Sequence, residues 1–160
     1  MGREEQIREL LDERAARVGP HPTMLATVES VDPGEATCVL YDEETNLVYY
    51  DVRLRPVIDG NEGLTVFPKK DSWCLAARIE GTEEWMVIAC SQVDKWRLKI
   101  GDTLIEQDAA GLQIKKQNDT LLQALELIIQ AVMKVVVVQG QNPDYAKLQQ
   151  ALTKIQNILR

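Results

Sequence analysis

The sequence has very little of the residue types on which most enzyme and metal sites depend. Its 160 residues include one histidine (His21), one phenylalanine and three cysteines. A single histidine leaves no pair for a histidine-based metal site, and no second one to activate a nucleophile. No P-loop or dinucleotide-binding glycine motif occurs either. We therefore predict a chain that is not an enzyme and that binds no cofactor and no metal, with His21 in a solvated loop.

Long apolar runs and excess positive charge are also missing. The most apolar C-terminal stretch, 121–138, is interrupted by Gln123, Glu126, Gln130 and Lys134, whereas a membrane span needs about 20 mostly apolar residues. The N-terminus has no apolar core of signal-peptide length. We therefore expect no stable membrane insertion and synthesis in the cytoplasm. The net charge of −7 argues against nucleic acid as a partner.

The cysteines and the acidic turns favour structural roles. Cys38, Cys74 and Cys90 lie in strand-like runs without a CxxC pair, which predicts reduced, buried side chains. The acidic run at 42–44 offers oxygen ligands of the kind that a hard cation prefers. A turn of like charges is usually solvated, so we interpret this run as an exposed turn.

Changes in hydrophobic periodicity divide the chain into four predicted zones. Residues 1–19 hold an amphipathic helix over 4–18, which the Gly-Pro-His-Pro segment at 19–22 ends. Residues 20–95 have the period of two that is typical of strands. Residues 96–117 are predicted to form three very short strands, and residues 118–160 return to helical spacing.

The second zone predicts a mainly β fold built on a small barrel. Turn residues such as Asp32-Pro33-Gly34 separate its apolar runs. Five strands are predicted, at 24–31, 37–41, 47–57, 73–79 and 85–89. Closure into a five-stranded OB-fold barrel is the economical arrangement because it removes exposed sheet edges.

The last two zones look incomplete in a single chain. Three strands as short as those in 96–117 cannot bury a core, so they must extend the barrel or stack against copies of themselves. Thr120 and Gln123 match a capping box, and Asn142-Pro143 is predicted to start a second helix. Apolar residues follow heptad spacing in both helices of this predicted hairpin. The first helix has more apolar surface than its mate can cover, which favours oligomerisation, the alternative being that the excess surface packs back on the barrel.

Single-stranded nucleic acid remains the alternative ligand, because OB-folds often bind single strands. That mode needs exposed aromatic platforms in a basic groove. The candidates are Tyr49, Tyr50, Trp73 and Trp85, although basic residues do not cluster around them in the sequence. A third hypothesis is an adaptor whose N-terminal helix docks onto a partner.

Several segments resemble the OB-fold proteins of phage baseplates and central spikes, a family shared with contractile injection systems and the type VI secretion spike. They are VFPKKDSWCLAA at 66–77, WMVIACSQVDKW at 85–96, IGDT at 100–103, DAAGLQI at 108–114 and QNPD at 141–144. The resemblance implies a homotrimer on the tail axis that contacts tail hub, tube or tip proteins. It also implies that the segment 96–117 begins a narrow three-chain β-structure. The iron-binding His-x-His tip of many spikes is missing here.

The resemblance and the periodicity together predict an oligomer interface. Axial contacts are expected from the β-extension, and helix or oligomer contacts from the hairpin. The predicted residues are Leu104, Leu112, Ile114, Leu121, Leu125, Ile128, Val132, Leu152 and Ile155.

Overall fold

A computed structural model describes residues 2–18, 22–56, 62–80, 82–136 and 138–160. It contains three helices and ten strands in these ranges. In chain order they are α1 (Arg3–Val18), β1 (Thr23–Asp32), β2 (Thr37–Asp42), β3 (Leu47–Arg53), β4 (Gly63–Pro68), β5 (Trp73–Arg78), β6 (Trp85–Cys90), β7 (Val93–Ile100), β8 (Thr103–Asp108), β9 (Gly111–Lys116), β10 (Asp119–Thr120), α2 (Leu121–Met133) and α3 (Tyr145–Ile158).

The five strands predicted for the barrel are all present and close on one another. Their order around the barrel is β1-β2-β3-β6-β5, with β5 returning to β1. Every pair is antiparallel except β3 with β6, which run parallel where Arg53 lies opposite Met86. The prediction of a mainly β protein with a five-stranded, OB-like barrel is therefore confirmed.

The barrel core follows directly from the period-two pattern. Alternate side chains of each strand point inward, so Ala26 and Val28 on β1 meet Cys38 and Leu40 on β2, all nearly inaccessible to solvent. Trp85 on β6 completes the core, and Tyr49 packs edge-on against its ring at 5.6 Å.

One predicted strand is too long and one strand was not predicted. The run 47–57 is a strand only to Arg53, in keeping with Pro56, which cannot donate to a ladder. Val57 lies outside the described residues. β4 follows in a segment for which no strand was predicted, and its Phe67 is 2% exposed in the barrel core.

A second sheet has the order β10-β9-β8-β7-β4. It includes the three short strands predicted within 96–117. The first of them begins earlier, at Val93, and pairs on its other side with β4. Since β4 also places Phe67 in the barrel, this strand joins the two sheets.

The ends of the chain are helical, as predicted. Ile7, Leu10 and Leu11 of α1 are exposed; His21, predicted to lie in a loop after this helix, is outside the described residues. The helices α2 and α3 contact each other and β9. The predicted capping box is present, with reciprocal 3.2 Å hydrogen bonds between Thr120 and Gln123.

The predicted start of the second C-terminal helix is wrong by two residues. Asp144, not Asn142, is the N-cap, because its carboxylate accepts a 3.1 Å hydrogen bond from the backbone N–H of Lys147. Pro143 accordingly precedes the cap instead of occupying the first helical position.

Candidate oligomerisation surfaces

The second sheet has an apolar face, which its strand register defines. Directly opposed residues of an antiparallel sheet lie on the same face. Leu64 on β4 pairs with Leu98, Leu98 with Ile105, and Ile105 with Ile114. These four side chains form a continuous row across β4, β7, β8 and β9, which we call the apolar row. The row is incompletely covered: Leu64 is 60% exposed and the other three are only half-buried.

The next row on the same face extends this surface. Val66 lies opposite Trp96, Trp96 opposite Gln107, and Gln107 opposite Leu112. Gln107 accepts a 3.2 Å hydrogen bond from the indole N–H of Trp96. The only polar member of this row therefore orients the aromatic ring beside it.

The opposite face of the same sheet is charged and centres on Glu106, which is 8% exposed. Glu106 Oε2 accepts a hydrogen bond from Arg97 Nε at 2.7 Å and lies 3.7 Å from Lys95 Nζ, while its Oε1 is 2.7 Å from Arg160 Nη2. Burial by itself would raise the pKa of Glu106, but the hydrogen bond and charge of Arg97, with Lys95 and Arg160, outweigh it and lower the pKa. The carboxylate is thus held ionised.

The three residues predicted for the axial β-structure do not share one face. Leu112 and Ile114 lie on the apolar face, as members of the two rows above. Leu104 instead lies opposite Lys99 and Lys115 on the charged face. Its neighbour Ile105 occupies the position that the prediction gave to Leu104.

The predicted residues of α2 lie along one stripe of the helix, and only one edge of that stripe is covered. Ile129 is buried and Leu125 half-buried, on the side that covers the rest of the chain. Leu121, Ile128 and Val132 are exposed, with Ile128 at 60%. The single chain therefore covers the Leu125 edge of the predicted stripe and leaves Leu121, Ile128 and Val132 exposed.

The predicted residues of α3, Leu152 and Ile155, are half-buried. With Leu148 they form the stripe of α3 that is least exposed, and α3 contacts α2 and β9. We therefore interpret these two as residues of helix packing within the chain.

The end of α3 is fastened to the second sheet. Leu159 forms a parallel bridge with Leu112, and the backbone N–H of Arg160 donates to the carbonyl of Leu112 at 3.1 Å. The Arg160 side chain forms ion pairs with Asp108 at 2.9 Å and with Glu106. Gly111 permits this approach, since a Cβ there would lie 2.7 Å from the carbonyl oxygen of Ile158. These contacts fix the helical hairpin relative to the apolar row.

The aromatic residues considered for base stacking are not all available. Trp85 is 5% exposed, with Arg78 stacked over its ring at 5.0 Å, and Tyr49 packs against it. Tyr50 and Trp73 are exposed, at 72% and 42%. Two of the four candidates are therefore held in or against the barrel core.

The acidic turn and the cysteines have structural roles. The turn was predicted to be exposed, but its first residue, Asp42, is only 8% exposed. Asp42 accepts hydrogen bonds from the Thr45 hydroxyl at 2.7 Å and from the Glu44 N–H at 2.9 Å, and the Thr45 bond is the main reason that its pKa is lowered. Burial raises the pKa of Cys38 to about 12 and that of Cys74 to about 11. All three cysteines are free, and Cys38 and Cys74 are buried as predicted, whereas Cys90 is only half-buried.

Two further features are missing from the described residues. No group of three or more histidine, cysteine, aspartate or glutamate side chains is placed to hold a metal ion within the ranges given above. In the same part of the chain, no helix combines the length and apolarity that crossing a membrane requires.

The apolar row includes three residues that sequence reasoning missed: Leu64, Leu98 and Ile105. In comparisons with known proteins, no family model matches the chain, and no curated protein shows significant sequence similarity to it.

Proposed function

We propose that the chain is a structural subunit of a phage tail or tail-like contractile injection machine, a homotrimeric component of the baseplate hub or spike. The observation that carries the proposal is the apolar row of Leu64, Leu98, Ile105 and Ile114 on an open sheet. A half-covered apolar sheet face is expected to bind another surface. Copies of the same chain supply one by rotation about a shared axis.

The arrangement of charge supports burial of this face and not of the other. The charged face carries Lys95, Arg97 and Glu106 in an ion-pair network within the chain. The apolar row and the row of Val66, Trp96, Gln107 and Leu112 carry no charged side chain, and Lys116 and Asp119, charged residues of this face, lie in the next row beyond the apolar row. Three sheets that turn these faces toward a common axis would form a narrow column with a dry interior. The number three rests on the resemblance to spike proteins.

The proposed mechanism is mechanical. The closed barrel forms a rigid body, β4 joins it to the second sheet, and the Arg160 contacts fasten the helices to that sheet. Chains that interlock about one axis transmit the thrust of sheath contraction without relative motion. The expected partners are tail hub, tube or tip proteins, and the expected location is the cytoplasm during synthesis and then the virion or tail-like particle.

The mass of the protein in solution tests the assembly. Three copies of the 18.0 kDa chain give about 54 kDa, which light scattering at micromolar concentration should measure. A mass of one chain under these conditions would contradict the proposal. Tail particles purified from the source cells should also carry the protein at the end that holds the baseplate, as antibody labelling in electron micrographs would reveal.

A further inference from the structure

A small cavity of about 70 Å³ lies where the barrel meets the second sheet. The β1–β2 turn forms its barrel side, and strands β4 and β7 form the other. Among the described residues that line it, none is acidic and three are basic. The lining includes Gly34, Arg55, Thr65, Phe67, Arg97 and Lys99.

The strand register brings the cavity residues of the second sheet together. Thr65 lies opposite Arg97, and Lys99 opposite Gly63, so Thr65, Arg97 and Lys99 share the charged face. Two contacts hold the guanidinium of Arg97 in place: it stacks 5.5 Å above the Phe67 ring, and its Nε donates a hydrogen bond to Glu106. Its ion pair uses Nε, so its terminal nitrogens keep donor capacity.

Lys99 lies at this cavity without an ion-pair partner among the described residues. The net charge is −7, yet no carboxylate of the described ranges forms an ion pair with Lys99. The carboxylate of Asp32 accepts the N–H groups of Gly34 and Glu35 at 2.8 and 3.2 Å through its Oδ1, and it forms no ion pair with Lys99. Arg97 is already paired with Glu106, so an anion bound in this cavity would gain its charge compensation chiefly from Lys99.

We infer that this cavity binds one compact oxyanion, a phosphate or a carboxylate group, between the barrel and the second sheet. Its volume holds a few water molecules or one such group, which excludes a nucleic-acid strand as the occupant. Arg97 and Lys99 supply charge-assisted donors, and the hydroxyl of Thr65, a residue only 6% exposed, supplies a neutral one. Because residues of both sheets would border the same group, the anion would stiffen their junction.

Titration calorimetry with inorganic phosphate tests the inference on the intact protein. Ionic strength is held constant with chloride, so that general screening does not change. We expect saturable binding of one phosphate per chain, and a melting temperature that rises with phosphate concentration. Lys99→Met should weaken this binding at least tenfold, while Lys154→Met, which removes an exposed lysine of α3, should leave it unchanged.

Two further experiments identify the class of anion and provide a control in case a variant does not fold. Acetate titrated in place of phosphate shows whether a lone carboxylate suffices, and its binding or its failure assigns the class of oxyanion. Thr65→Val provides a second variant if circular dichroism shows that Lys99→Met is unfolded. Absence of saturable phosphate and acetate binding, or equal binding by wild type and a folded Lys99→Met variant, would overturn the inference. So would tight binding of a single-stranded oligonucleotide without any phosphate binding.

Discussion

The barrel and the second sheet are built from strands of similar length, yet they differ in how far their apolar side chains are buried. The barrel closes on itself, and its inward side chains, such as Val28 and Leu40, are inaccessible. The second sheet stays open, and the apolar row remains half-covered. Closure buries the apolar side chains of the barrel within one chain, whereas the open sheet leaves its apolar face accessible to a partner surface.

Strand β4 shows the contrast within six residues. Phe67 points into the closed barrel and is 2% exposed, while Leu64, three residues earlier on the opposite face, is 60% exposed. One strand therefore serves two apolar surfaces, one complete within the chain and one that we expect assembly to complete. Substitutions on its two faces should separate these roles.

The largest effect is expected from Phe67→Ala. Truncation of a fully buried phenylalanine costs about 3–5 kcal/mol of unfolding free energy, measured by urea denaturation. The matched control is Leu64→Ala on the same strand, which should leave the unfolding of the dissociated chain nearly unchanged and weaken the oligomer. Equal effects of the two changes on the dissociated chain would remove the distinction between the two surfaces.

Glu106→Gln should give the next largest effect, about 2–3 kcal/mol, since it leaves Arg97, Lys95 and Arg160 without their shared carboxylate. The lowered pKa of Glu106 means that its contribution is fully present above the ordinary glutamate pKa and is lost as the pH falls through the lowered value. Denaturation as a function of pH should therefore show less acid sensitivity in the variant.

The control for Glu106 is Glu83→Gln, which removes an exposed ion pair with Arg78. Exposed pairs contribute little to stability, so this variant should retain both the stability and the acid sensitivity of the wild type. An equally acid-sensitive Glu106→Gln protein would show that the charged face does not stabilise the second sheet.

A smaller effect, about 1–3 kcal/mol, is expected from Gly111→Ala. The new Cβ would press on the carbonyl of Ile158 and loosen the end of α3. Gly101→Ala is the matched control, because Gly101 also has a positive φ but has open space around its Cβ position. Thermal unfolding followed by circular dichroism should show a greater loss for Gly111→Ala, and an equal loss would argue against a close contact there.

The smallest effect concerns the barrel at alkaline pH. Burial raises the pKa of Cys38 from 9.0 to about 12, so between these values the unfolded chain releases a proton that the folded chain keeps, and stability falls as pH rises. Between about pH 8 and 10 the loss should be about 1 kcal/mol. Cys38→Ala should remove that part of the slope in denaturation curves, and an unchanged slope would contradict a buried, protonated thiol.

Much of this architecture could be predicted from the sequence because the signals were local. Alternation of apolar residues located all five barrel strands, and Thr120 with Gln123 located the start of α2. β4 escaped prediction because Leu64-Thr65-Val66-Phe67 is short and its two faces are both mostly apolar. The role of β4 depends on its pairing with β7, a strand about 30 residues later in the chain. Local periodicity does not predict such a long-range pairing.

The composition of the apolar row escaped prediction for a related reason. Leu104 and Ile105 are adjacent and both apolar, so the sequence of β8 does not show which one faces the apolar side. A signal was nevertheless present in the turn at Gly101-Asp102. A two-residue hairpin turn places Ile100 opposite Thr103 and hence Leu98 opposite Ile105, as the register shows.

The most direct test of the proposed assembly is the mass of a matched pair of variants, Ile105→Glu and Leu104→Glu, measured by light scattering. Ile105 belongs to the apolar row, whereas Leu104 lies between Lys99 and Lys115 on the opposite face. We predict that Ile105→Glu reduces the mass from about 54 kDa to that of the 18.0 kDa chain, while Leu104→Glu keeps the trimer. A trimer that survives Ile105→Glu, or that only Leu104→Glu dissociates, would contradict assembly through the apolar row.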